Sequence, residues 1–166
     1  MKTFKINTQS IHDEGFFTFE TSWIGREVFD FENKQLFLPI LNLDIENKQV
    51  IDYFGVSHVY IEKSYFLFKK VNKLEKNLAI HSKDRTSFVV KNFNQTIEID
   101  NKNENAHLFE FGGMGIFQNY TYDGVLKIHC EECYFVLPEN FEYKTEFKSM
   151  NDYNPFEEKW LNDFIV

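Results

Sequence analysis

Only two cysteines occur in the 166 residues. No disulfide framework therefore holds this chain, and its stability has to come from a buried core. Apolar runs are short as well. The longest, Leu36–Leu41, falls far below the roughly 20 residues of a membrane helix. Met1–Ser10 lacks the apolar stretch of a secretory signal. Together these absences set the expectation of a cytoplasmic protein that makes no membrane contact. Three prolines and seven glycines are too few for a low-complexity linker. No repeat is visible, so a single domain over residues 1–166 is expected.

Basic charge is also scarce: 18 Lys and Arg stand against 26 Asp and Glu, a net charge of −8. Nucleic-acid binding draws its affinity from phosphate neutralisation by cations, so nucleic acid is not expected as a partner. The deficit is uneven. From Lys69 to Lys91 seven basic residues outweigh Glu75 and Asp84, giving this segment +5 and leaving −13 for the rest. Such asymmetry suits steering of a basic partner, although a solvated surface gives the same count.

Local catalytic motifs are missing too. There is no Gly-x-Ser-x-Gly elbow. Gly112-Gly113-Met114-Gly115 matches neither phosphate-binding glycine pattern and precedes no helix. A bulge or sharp bend in a strand is the expectation there. Glu-x-Lys triplets begin at Glu32, Glu46, Glu142 and Glu146, with Asp30 and Asp44 upstream. They are raw material for a metal-dependent nuclease site, but a chain rich in Glu and Lys yields them by chance. No catalytic residue and no cofactor is expected.

What is abundant is phenylalanine, 20 residues of it, set in alternating rather than helical spacing. Phe17, Phe19 and Trp23 share one parity, as do Phe29 and Phe31, Phe109 and Phe111, and Phe141, Tyr143 and Phe147. A strand sends successive side chains to opposite faces, so this spacing lines one face of a sheet. Arg26–Phe31 and Leu36–Ile45 read as a hairpin around Glu32–Gln35, with Pro39 at an edge or bulge. Val50–Ile61 and Ser64–Val71 read as strands, the second covered on both faces in places. Lys69–Leu78 fits either a short helix or a strand followed by a loop over Asn72–Asn77; the second is preferred. Near the end, Asn154, Pro155 and Glu157 look like a helix start, and Phe156, Trp160 and Phe164 recur every four residues. The fold expected is mainly β, an antiparallel β-sandwich or barrel-like sheet with a short C-terminal helix.

Cys130-Glu131-Glu132-Cys133 is the sharpest local pattern. With His129 it offers candidate zinc ligands, but a second ligand pair is missing. Alternation gives a plainer account. Leu126, Ile128 and Cys130 share one parity, Cys133, Phe135 and Leu137 the other. A two-residue hairpin turn at Glu131-Glu132, or a bulge in one longer strand, would bring all six to the same face. Tyr53, Tyr60, Tyr65, Tyr120, Tyr122 and Tyr134 carry hydroxyls suited to interfaces or pocket walls. Tyr120, Tyr122, Glu131, Glu132, Tyr134 and Tyr153 are the candidates for partner contact. The functional expectation is an acidic protein-binding module, an immunity or inhibitor protein that neutralises a basic toxin or nuclease. The alternatives are a small-molecule-binding β-barrel or sandwich with an aromatic-lined cavity, and a hydrolase with no local signature.

Overall fold

A computed structural model of the chain describes residues 1–7, 23–24, 27–56, 59–81, 89–99, 106–117 and 120–144. It is mainly β, as the alternation implies, and nearly every ladder is antiparallel. The strands are β1 (Lys2–Ile6), β2 (Trp23–Ile24), β3 (Val28–Asp30), β4 (Gln35–Ile45), β5 (Val59–Lys69), β6 (Lys73–His81), β7 (Val89–Glu98), β8 (His107–Phe117), β9 (Tyr120–Cys130), β10 (Glu132–Leu137) and β11 (Tyr143–Lys144). One helix, α1 (Lys48–Phe54), lies between β4 and β5. The hydrogen-bonded order is β1-β10-β5-β4-β2-β8-β9-β6-β7, with β3 beside β4 and β11 beside β5. Among the described residues the single parallel contact is Ile24 with Gly115, where β2 joins β8.

This sheet curls over its own core. The rings of Phe66 and Phe68 on β5 lie 5.6–5.7 Å from those of Phe109 and Phe111 on β8, although β4 and β2 separate those strands in the hydrogen-bonded order. Phe135 completes the packing at 5.5 Å from Phe66. Ring centroids at this spacing are in favourable contact. Leu36, Leu38, Ile40, Leu43 and Ile45 of β4 fill the same core. Tyr65, Leu67 and Val136 form a smaller cluster with Phe37 and Tyr134. The run from Tyr65 to Phe68 is thus apolar on both parities because both faces of β5 are covered.

The Cys-Glu-Glu-Cys stretch is not a hairpin. β9 and β10 do not pair with each other; β9 pairs with β6 and β8, β10 with β1 and β5. The two strands are arms of one long ribbon that turns a corner. On one arm Glu132 stands opposite Lys69, on the other His129 stands opposite Lys73. Between these pairs, Lys70, Val71 and Asn72 face only Cys130 and Glu131, and the odd residue shifts the register by one. That is the geometry of a β-bulge, and Lys70 has the left-handed backbone, φ 54°, that such a corner requires. Backbone bonds carry the ribbon round: Glu131 N–H donates to Lys69 O at 3.3 Å and Asn72 N–H to His129 O at 2.9 Å. The phase change across Glu131 therefore brings Leu126, Ile128, Cys130, Cys133, Phe135 and Leu137 into one core.

Other expectations need correction. Lys69–Leu78 is neither a helix nor a strand with a six-residue loop; the turn is Lys70–Asn72, and β6 starts at Lys73. Val50–Ile61 is not one strand. Asn47 caps α1 with its side-chain oxygen, accepting from Gln49 N at 3.0 Å and Val50 N at 3.3 Å. Gly55, at φ 67°, closes it. Pro39, by contrast, stands opposite Tyr65 of β5, and its other flank falls between the pairs to β3 and those to β2, where the register slips by one from Phe37 with Val28 to Ile40 with Ile24. The missing donor thus falls at a break in that ladder, as a proline within a strand predicts. The glycine run of β8 shows no register break against β9. The hairpin β3–β4 forms as read, with Asp30 accepting from Asn33 N at 3.1 Å in its loop. The expected C-terminal helix lies outside the described residues. Among the described residues no helix is long and apolar enough to cross a membrane.

Candidate functional site

Three of the expected contact residues, Glu131, Glu132 and Tyr134, meet at the outside of the ribbon corner. There they are engaged within the chain. Glu131 pairs with Lys70. Glu132 lies 3.5 Å from Lys5 Nζ and accepts from the Tyr134 hydroxyl at 3.0 Å. Lys69 sits over the Tyr134 ring at 4.9 Å. Partial burial, followed by the Glu132 contact, raises the Tyr134 pKa above its ordinary value. In the described part of the basic segment, Lys73 pairs with Glu75 at 2.7 Å, and Lys76 pairs with Glu27. Tyr120 and Tyr122 stand in β9, and Tyr153 lies outside the described residues.

The cysteines belong to the core. Both are buried, and neither forms a disulfide. The Cys130 thiol donates to the Glu132 carbonyl at 3.4 Å, and burial pushes its pKa up to about 12. A metal ligand or redox thiol needs the opposite shift. His129, one residue away and so on the other face, turns its Nε2 to Glu75 Oε2 at 3.1 Å. Hydrogen bonds from Lys73 and His129 hold the Glu75 carboxyl below its ordinary pKa. Among the described residues no group of three or more His, Cys, Asp or Glu side chains is placed to hold a metal ion. Of the Glu-x-Lys triplets, the one at Glu32 is in the exposed β3–β4 loop, the one at Glu46 leads into α1, and the one at Glu146 lies outside the described residues.

What remains outside is a set of aromatic rings at the other end of β5. The register pairs Tyr143 with Ile61, eight residues before the corner at Lys69, or roughly 25 Å along a strand. Five rings form a continuous cluster there. Phe4 contacts Tyr53 at 5.8 Å, Tyr53 contacts Phe54 at 5.1 Å, and Phe54 contacts Phe141 at 5.5 Å and Tyr143 at 4.5 Å. The cluster is anchored inward, since Phe4 is only 7% exposed and lies 6.2 Å from Phe135. Its rim is open: Tyr53 is 50% exposed and Tyr143 46%.

The local sequence explains the placement. With Asn47 fixing the start of α1, Val50 points into the core, and Tyr53 and Phe54 follow at i+3 and i+4 beside it. Lys2, Phe4 and Ile6 share one face of β1, which sets the Lys2 ammonium over the rings of Phe4 at 5.6 Å and Tyr53 at 5.2 Å. Lys48, Asp52, Glu139 and Glu142, all exposed, lie close in sequence to its members, and the Met1 amine lies 3.4 Å from Glu139 Oε1. The arrangement offers flat apolar faces and two phenol hydroxyls, and among the described residues no nucleophile–base pair accompanies them. Of its members, Tyr53 is legible in sequence as an interface tyrosine. Tyr143 is not, because its alternation with Phe141 and Phe147 reads as core. The useful signal is the Asn47 cap, which turns Tyr53 and Phe54 from strand residues into helix residues. No protein-family model, curated protein or solved structure matches the chain.

Proposed function

We propose that this is an acidic protein-binding module that engages a basic partner through the ring cluster of Phe4, Tyr53, Phe54, Phe141 and Tyr143. The observation that carries this reading is the half-exposure of two tyrosines on a rim anchored in the core. Tyrosine supplies large contact area at low entropic cost and is enriched in the centres of protein interfaces. A net charge of −8 raises the encounter rate with a basic protein and sets its salt dependence. Neutralisation of a basic toxin or nuclease in the cytoplasm fits these properties, and such a role needs no chemistry from the module.

Affinity capture with the intact protein tests the reading. The wild type is expected to retain a basic protein in stoichiometric amount, with retention falling as salt rises. The Tyr53→Ala/Tyr143→Ala double variant should lose it while remaining folded, as a dispersed NMR spectrum would show. Equal retention by both forms, or a captured partner of acidic charge, refutes the proposal.

A further inference from the structure

The ring cluster already holds a cation. Lys2 reaches from β1 across the Phe4 ring to the exposed Tyr53 ring, although its ammonium is free to remain fully in water. An aromatic face attracts an ammonium or guanidinium through the ring quadrupole, and the attraction at an exposed site is weak enough to exchange. Asp52 adjoins Tyr53 in the sequence, while the exposed Glu139 is already paired with the Met1 amine. Moving Lys2 off the ring leaves an open aromatic face on a molecule whose net charge of −8 favours cationic partners.

We infer that the Tyr53 ring is a docking face for a lysine or arginine side chain of the partner, and that Lys2 is its built-in competitor. Binding then exchanges one cation for another. The Lys2 ammonium swings into water as the incoming side chain takes its place over Tyr53. This gives the module a selectivity that charge steering alone lacks. A partner with basic charge but no side chain able to lie on the ring pays the cost of displacing Lys2 without compensation. The inference rests on the cluster being the partner surface, and it concerns only what occupies the ring.

A defined probe tests it on the full chain: the blocked peptide acetyl-Gly-Lys-Gly-Arg-Gly-amide, titrated while the Tyr53 and Tyr143 ring resonances are followed by NMR. The wild type is expected to show saturable shifts at Tyr53. Lys2→Met, which keeps the apolar stem and removes the charge, is expected to tighten the peptide by about twofold to fivefold, the range of an exposed cation–π contact. Tyr53→Leu should abolish the response, with a dispersed spectrum showing that the variant is folded. The Glu-for-Lys and Glu-for-Arg peptide should give no response. Absence of saturable shifts in the wild type, or a Lys2→Met affinity equal to or weaker than wild type, overturns the inference. Capture of a basic partner that depends on Tyr53 and Tyr143 but is indifferent to Lys2→Met would overturn it while leaving the protein-binding reading intact.

Discussion

Replacing Phe66 by alanine probes the curl of the sheet more directly than any other change. Phe66 is fully buried on β5 and touches Phe135 on the adjacent β10 and Phe111 on β8, across the core. Truncating a buried Phe to Ala costs about 3–5 kcal/mol, combining lost transfer energy with the cavity left behind. Against a native stability of about 5–15 kcal/mol, the variant should fold with a visibly lowered urea midpoint. At a slope of about 2 kcal/mol/M the midpoint drops by about 1.5–2.5 M. The cross-core contact can be isolated in a double-mutant cycle with Phe111→Ala, where a coupling of about 0.5–1.5 kcal/mol is expected for paired rings. Phe31→Ala serves as the control. That ring is 65% exposed in the β3–β4 loop, and its loss should change stability by no more than about 0.5 kcal/mol. A Phe66→Ala cost below about 1 kcal/mol, or strict additivity with Phe111→Ala, would refute the packing of β5 against β8.

Other outcomes follow from single contacts. Asn47→Ala removes the oxygen that accepts from Gln49 N and Val50 N and should cost about 1 kcal/mol in chemical denaturation; an unchanged midpoint would mean that α1 is not capped there. Lys34 holds a left-handed backbone, φ 51°, so Lys34→Gly should be neutral or stabilising by up to about 1 kcal/mol, whereas a clear loss would contradict that conformation. Cys130 should resist alkylation in the native protein and react on unfolding, because burial holds it protonated. Its folded pKa of about 12 exceeds the ordinary 9.0, so its contribution to stability is complete below pH 9 and is lost as pH climbs from 9 towards 12. Subtracting the pH profile of Cys130→Ala from that of the wild type isolates this fall; parallel profiles would show that the thiol is not buried.

Much of the fold was legible because alternation is a local property. The β3–β4 hairpin and the shared burial of Cys130, Cys133 and their neighbours follow from the side-chain period of two. The failures also have local causes. Seven residues of α1 contain two turns, too few for a 3.6-residue period to outvote two-residue alternation, so Val50–Phe54 reads as strand until the Asn47 cap is weighed. The site was less legible than the fold. Glu131, Glu132 and Tyr134 are conspicuous as a charged cluster beside cysteines, yet their charges are spent on Lys70, Lys5 and one another. Tyr143 shares the spacing of core aromatics and is nevertheless half exposed.

The sequence by itself determined that side chains alternate between two faces along its strands. That alternation is fixed by the backbone pleat, residue by residue, without reference to any partner strand. It also determined a mainly β chain with an aromatic core and a net charge of −8. Only the tertiary structure decided which strands are neighbours. Cys-Glu-Glu-Cys satisfies its alternation equally well as a hairpin or as a corner, and the pairing of β10 with β5 and of β9 with β6 selects the corner. That selection depends on contacts between residues some sixty positions apart, such as Glu131 with Lys69, which no local period encodes. The same long-range packing left Tyr53 and Tyr143 half exposed at the edge of the core.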